Sequence, residues 1–153
     1  MKRIHVLGLV ILLTFFSVGA VVAQDDVPEL SATLTGAAEV PGPGDTDGSG
    51  SANMRVNKEK AEICFTLVVA DIGNPTAANI HEGAEGNTGE AVVSLTPLPT
   101  DDDSEEKEED CVTADADLIT RIITNPQNFY VNVQNEEFPD GAIRGQLALK
   151  EAG

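Results

Sequence analysis

"AEICFTLVVA", residues 61–70, is the stretch on which the fold turns. Ile63, Phe65, Leu67 and Val69 recur at every second position, with Cys64, Thr66 and Val68 between them. A period of two belongs to a β-strand, whose successive side chains leave on opposite sides. The intervening residues are only weakly polar, so both faces of this strand are expected to be at least partly covered.

The same period recurs on either side of it. "LSATLTG" (30–36), "ANMRVN" (52–57), "NFYVNVQN" (128–135) and "AIRGQLAL" (142–149) alternate, and "AANIH" and "EAVVSL" form two short strands around a glycine-rich link. "EVPGPGDTDGSGS" (39–51), "NKEK", "DIGNPT" (71–76) and "EEFPDG" carry the Gly, Pro, Asn and Asp of turns and loops. "ADADLITRIITNP" (114–126) breaks the pattern. Leu118, Ile119, Ile122 and Ile123 share a helical face, acids occupy the first turn and Pro126 closes the segment. About seven strands and one short helix predict an all-β domain. Its form is expected to be an antiparallel, Greek-key-like β-sandwich, because two stacked sheets hide their apolar faces economically.

The chain opens on a leader. Lys2 and Arg3 precede a nearly unbroken apolar run from Val6 to Val22, and Ala23 is followed by Gln24-Asp25-Asp26. This is the layout of a secretory signal peptide, residues 1–23, cut after Ala23. A retained anchor is the alternative, since about 17 apolar residues is the lower limit for a span. The expected mature chain, 24–153, forms one domain with its core at about 29–149 and an acidic loop at 99–110. All 26 acids and seven of the nine Lys and Arg lie in it, a formal charge of −19. Such a surface repels phosphates and anionic lipid, so nucleic acid and stable membrane insertion after cleavage are not expected. Cys64 and Cys111, an even pair in an exported chain, read as one disulfide. Zinc is the weaker reading, with no C-x-x-C and no second mature histidine.

Three stretches together resemble the CHRD domain, a repeated module first described in chordin and also found singly in secreted bacterial proteins. They are "LTGAAEVPGPGDTDGSGSA", "AANIHEGAEGNTGEAVVSL" and "FYVNVQNEEFPDGAIRGQL". The last is the most specific, with Tyr130-Val131-Asn132-Val133 and then Pro139-x-Gly141-x-Ile143-Arg144-Gly145-Gln146-Leu147. The resemblance implies a secreted β-sandwich-like module with no established catalytic activity, and the cysteine pair also resembles that of bacterial members. Where the family often has His-x-His this chain has Asn79-Ile80-His81, and where it often has Asn-Val-His this chain has Asn132-Val133-Gln134.

His81 is the only histidine outside the leader. On alternating strands Asn79 shares its face, as Asn132 shares one with Gln134 and Arg144 one with Gln146. If the strands pair as the resemblance implies, these residues gather at one side of the sandwich as a structural or ligand-contact network. Glu39 and Arg144 are expected to form an internal ion pair joining the first and last strands. Gly83, Gly86 and Gly89 are expected to take positive φ in a tight connection. One imidazole cannot build a copper/zinc dismutase site, there is no G-x-S-x-G elbow, and no acid pair is marked out for glycosidase work. No catalytic residues and no cofactor are therefore assigned. "DTDGSG" (45–50) matches the first half of an EF-hand loop through Asp45, Asp47, Ser49 and Gly50, but position 12 is Val56. The expected role is a secreted, non-enzymatic module binding an extracellular protein, cell-envelope component or matrix polymer. The alternative is a copper/zinc- or calcium-binding protein centred on His81 or the 45–50 loop.

Overall fold

The computed structural model describes residues 27–96, 98 and 109–150. The expected leader and the acidic stretch 99–108 lie outside the described residues. Among the described residues nine strands form: β1 (Glu29–Thr35), β2 (Ser49–Asn57), β3 (Glu62–Ala70), β4 (Pro75–Glu82), β5 (Ala91–Ser94), β6 (Asp110–Thr113), β7 (Phe129–Asn135), β8 (Ile143–Gln146) and β9 (Ala148–Leu149). One α-helix among the described residues, α1 (Ala116–Thr124), lies between β6 and β7.

All-β with one short helix is what the alternation predicts, but the two-sheet sandwich is corrected. The strands make one continuous antiparallel sheet in the order β5-β4-β7-β8-β1-β2-β3-β6, with β9 also on β1. Leu34 of β1, Ile63 of β3, Ile80 of β4 and Val131 of β7 belong to a single buried cluster. A sheet whose distant strands share one apolar interior must curl over on itself, and this one is nearly closed into a barrel. Closure does the work that a second sheet was expected to do.

The two additional strands have local causes. Edge strand β6 is joined to β3 by direct pairing of Cys111 with Cys64, and the disulfide is formed. The last alternating segment divides at Leu147, whose N–H donates to Phe129 O at 2.9 Å, so β8 and β9 are separate. Strand β2 also begins earlier than expected, at Ser49. Gly50 permits this, because a Cβ there would meet Val68 O at 2.6 Å and Ile143 Cδ1 at 3.0 Å.

Helix α1 follows its sequence signals. Asp115 Oδ1 accepts from the N–H groups of Asp117 (2.9 Å) and Leu118 (3.2 Å), a cap worth about 1 kcal/mol. Leu118, Ile119 and Ile122 enter the common core. No helix among the described residues is long and apolar enough to cross a membrane.

Candidate functional site

Strands β4, β7 and β8 lie side by side, and their register sets two polar rows across the sheet. One row is His81–Tyr130–Gln146 and the next is Asn79–Asn132–Arg144. Ile80 and Val131, between the rows, and Ile143, next to Arg144 on the far side, belong to the core. The rows therefore occupy the outer face, where water is the default neighbour. Yet Tyr130, Asn132 and Arg144 are only 4%, 3% and 2% exposed. Two loops cover them: residues 83–90, which follow β4, and residues 36–45, which follow β1.

The first loop is fastened by the His81 row. His81 Nδ1 donates to Gly89 O at 2.9 Å, and Tyr130 Oη accepts from Gly89 N–H at 3.2 Å. The two rings stack, with centroids 4.9 Å apart and planes 13° from parallel. The Arg144 guanidinium lies 3.5 Å from the Tyr130 ring centroid, a cation–π contact in a desolvated setting. Arg144 Nη2 donates to Ala84 O at 3.3 Å. Gln146 Nε2 sits 2.7 Å from Gly83 O, 2.7 Å from Gln127 O and 2.8 Å from Phe129 O. Only Gly86 of the three loop glycines takes positive φ, at +78°. Gly89 is needed for closeness instead, since a Cβ there would lie 1.7 Å from Glu82 O.

The second loop is fastened by Glu39. Its carboxylate accepts from Asn132 Nδ2 at 2.8 and 3.0 Å. Burial pushes the Glu39 carboxyl up to about 7, against the opposing charge of Arg144 and the hydrogen bonds from Asn132 and the Val40 N–H. The expected Glu39–Arg144 ion pair is corrected on this point. The two charges share one buried cluster, but the carboxylate is held by the Asn132 amide and the guanidinium turns to Tyr130 and the 83–90 loop. An amide between them reaches both Oε atoms, and Tyr130 offers the flat guanidinium a face.

The remaining candidates fall elsewhere. Gln134 is half-buried opposite Ala77, and Asn79 is half-buried between Ser94 and Asn132. Asp45 and Asp47 face an open cleft of about 590 Å³ that Asp71 and Glu137 also line. Burial and a hydrogen bond that the protonated Asp45 carboxyl donates to the Asp47 side chain raise the Asp45 carboxyl. Ser49 and Gly50 have left that loop for β2. Among the described residues the one set of three His, Cys, Asp or Glu ligand atoms within 4.8 Å of one another is Glu62, Cys64 and Cys111, which does not include His81. Tyr130 is the central residue that the sequence reading passed over. It stands two positions before Asn132, so the alternation used for Asn132 places it on the same face.

Three buried side-chain atoms of the outer-face cluster have no hydrogen-bond partner among the described residues: Arg144 Nη1, Asn132 Oδ1 and His81 Nε2. The cluster is thus a mostly satisfied network with two spare acceptors and one spare donor under its loops. A family model described as the CHRD domain matches residues 30–147. No curated protein and no solved structure shows significant similarity to the chain.

Proposed function

We propose that this chain, which belongs to the CHRD domain family, works as an exported, non-enzymatic module whose fastened loops bind an extracellular protein, cell-envelope component or matrix polymer. The observation that carries the reading is the commitment of the outer-face polar side chains. His81, Tyr130, Gln146 and Arg144 hold the 83–90 loop, while Asn132 and Glu39 hold the 36–45 loop. Loops kept in place by a rigid sheet are the usual way a β-domain presents a recognition surface. The leader's pattern and the disulfide support export.

A His81-centred metal site has weaker support. The Nδ1 atom is committed to Gly89 O, and no described carboxylate or thiol joins His81 in a ligand set.

The test has two parts. The full chain is expressed in a secreting host, and the protein in the medium is sequenced from its N-terminus, where Gln24 is expected. That protein is then sedimented with isolated envelope and matrix polymers and passed over immobilised extracellular proteins at two salt concentrations. Saturable retention by one of these classes, abolished by grafting a Gly-Ser loop over residues 84–88, supports the proposal. Retention of the leader in cells, or absence of saturable binding to any of these classes, overturns it.

A further inference from the structure

We propose that Cys64, Cys111 and Glu62 form a surface site for a soft divalent cation, zinc foremost, whenever their disulfide is reduced. The three side chains project from the outer face where β3 meets edge strand β6. Cys64 and Cys111 are direct cross-strand partners with Cα atoms 3.9 Å apart, and Glu62 stands two residues before Cys64, hence on its face. Their ligand atoms lie within 4.8 Å of one another.

The spacing suits a metal. Tetrahedral zinc with Zn–S bonds of about 2.3 Å and Zn–O of about 2.0 Å places sulfur and oxygen about 3.5 Å apart and its two sulfurs about 3.8 Å apart. Glu62 Oε2 is already 3.6 Å from Cys64 Sγ. Once the S–S bond is broken, rotation about the Cα–Cβ bonds is enough to separate the sulfurs. Cys64 and Glu62 are half-buried and Cys111 is exposed, so a cation has a path from solvent and room for a water as fourth ligand.

Charge also fits. Two thiolates and a carboxylate bring three negative charges, of which a divalent cation cancels two. Arg55, the register partner of Cys64 on β2, brings a guanidinium to the same face and ion-pairs there with Glu109.

The chemistry closes in two steps. A dithiol reductant transfers two electrons and two protons to the S–S bond, becoming a disulfide itself and leaving two thiols. The cation then takes both sulfurs and the carboxylate and releases the two thiol protons to solvent. The edge strand β6 is thereby clamped to β3 in either redox state, by a cystine or by a metal.

The experiment uses the chain reduced with a phosphine, which is oxidised to its oxide with an oxygen from water, under anaerobic conditions. Cobalt(II) serves as the spectroscopic probe and zinc as the competitor. Expected are one cobalt per chain with a near-ultraviolet thiolate-to-cobalt band, displacement by zinc, affinity rising with pH, and no uptake by the oxidised protein. Glu62→Gln should weaken binding by at least about tenfold, the loss that even outer-shell partners of a metal ligand show. A reduced protein lacking the thiolate band, or Glu62→Gln binding as tightly as the parent, overturns the site. Because reduction can destabilise the fold, melting of the reduced chain is followed by circular dichroism with and without excess zinc. A rise in Tm is expected from ligand linkage, and an unchanged Tm also overturns the proposal.

Discussion

Asn132 Nδ2 reaches both carboxylate oxygens of Glu39, at 2.8 and 3.0 Å, across 93 residues of sequence. This contact ties the loop after the first strand to the middle of the sheet. With both residues buried, the loop cannot lift without exposing a carboxylate and an amide that are otherwise matched. Removing the amide strands the acid. Asn132→Ala is expected to lower stability by about 1.5–3 kcal/mol, the range for a hydrogen bond to a charged group. Urea titration at pH 8, where Glu39 is ionised, measures it. A loss below about 0.5 kcal/mol, the scale of an ordinary surface substitution, would show that the contact does not hold the loop.

The same carboxyl sets a pH dependence. Its native value is raised from 4.5 to about 7, chiefly by burial. The folded state therefore binds more protons than the unfolded state between those values, and stability falls as pH rises through the window. The benefit of the protonated form is complete below pH 4.5 and is lost above about pH 7. A shift of this size corresponds to something on the order of 3 kcal/mol. Other acids titrate as well, so the difference between the parent and Glu39→Gln isolates this group. That difference, measured by urea midpoints at pH 5 and pH 8, is expected to move in favour of Glu39→Gln as pH rises. A difference that stays constant across the window would assign the titration elsewhere.

Gly141 closes over the pair. Its φ is +150°, and a Cβ there would meet both Asn132 Nδ2 and Glu39 Oε2 at 2.4 Å. Gly141→Ala is expected to cost about 1–3 kcal/mol through overpacking, and to cost less in the Glu39→Ala background. Thermal melts of the four proteins in that cycle give the coupling. Equal losses in both backgrounds would place the strain in the backbone or against Asn132 rather than against Glu39.

Much of this arrangement is legible in the chain before any coordinates. Alternation at 61–70 assigns inward and outward residues correctly, and the Leu118–Ile122 spacing with acids at its start marks the helix, whereas at 128–135 the alternation is masked because both faces are buried. Alternation says which face a residue takes, but not which strands become neighbours. Two sheets and one curled sheet therefore look alike until the β7–β8–β1 pairing is seen. The period also places Asn132 with Gln134 and Arg144 with Gln146, each pair on one side of its own strand, while the Asn132–Arg144 adjacency comes from the strand register. The burial of Asn132 and Arg144 does not follow from the period, because it depends on two loops folding back over an outer face. Strand β6 was hidden for a different reason. Four residues behind an acidic run carry little periodic signal, and a cystine holds them in the sheet.

Tyr130 separates the hydrogen-bonding and packing parts of the cluster. Its hydroxyl accepts from Gly89 N–H at 3.2 Å, while its ring lies between His81 and the Arg144 guanidinium. Tyr130→Phe keeps the ring and removes the acceptor, so a loss of about 1 kcal/mol is expected. Amide exchange should quicken at Gly89 more than at Gly83, whose N–H donates to Asn128 O at 2.7 Å and needs no hydroxyl. Tyr130→Leu also removes the face on which Arg144 rests, leaving a buried guanidinium beside an aliphatic chain. Its loss should exceed that of Tyr130→Phe by about 1–2 kcal/mol, the worth of a desolvated cation–π contact together with the aromatic stack. Hydrogen exchange followed by NMR, alongside urea titration, reads both effects. Equal losses for the two variants would mean that the guanidinium draws its stability from the Ala84 carbonyl and the Gln146 amide oxygen and that the ring only fills space.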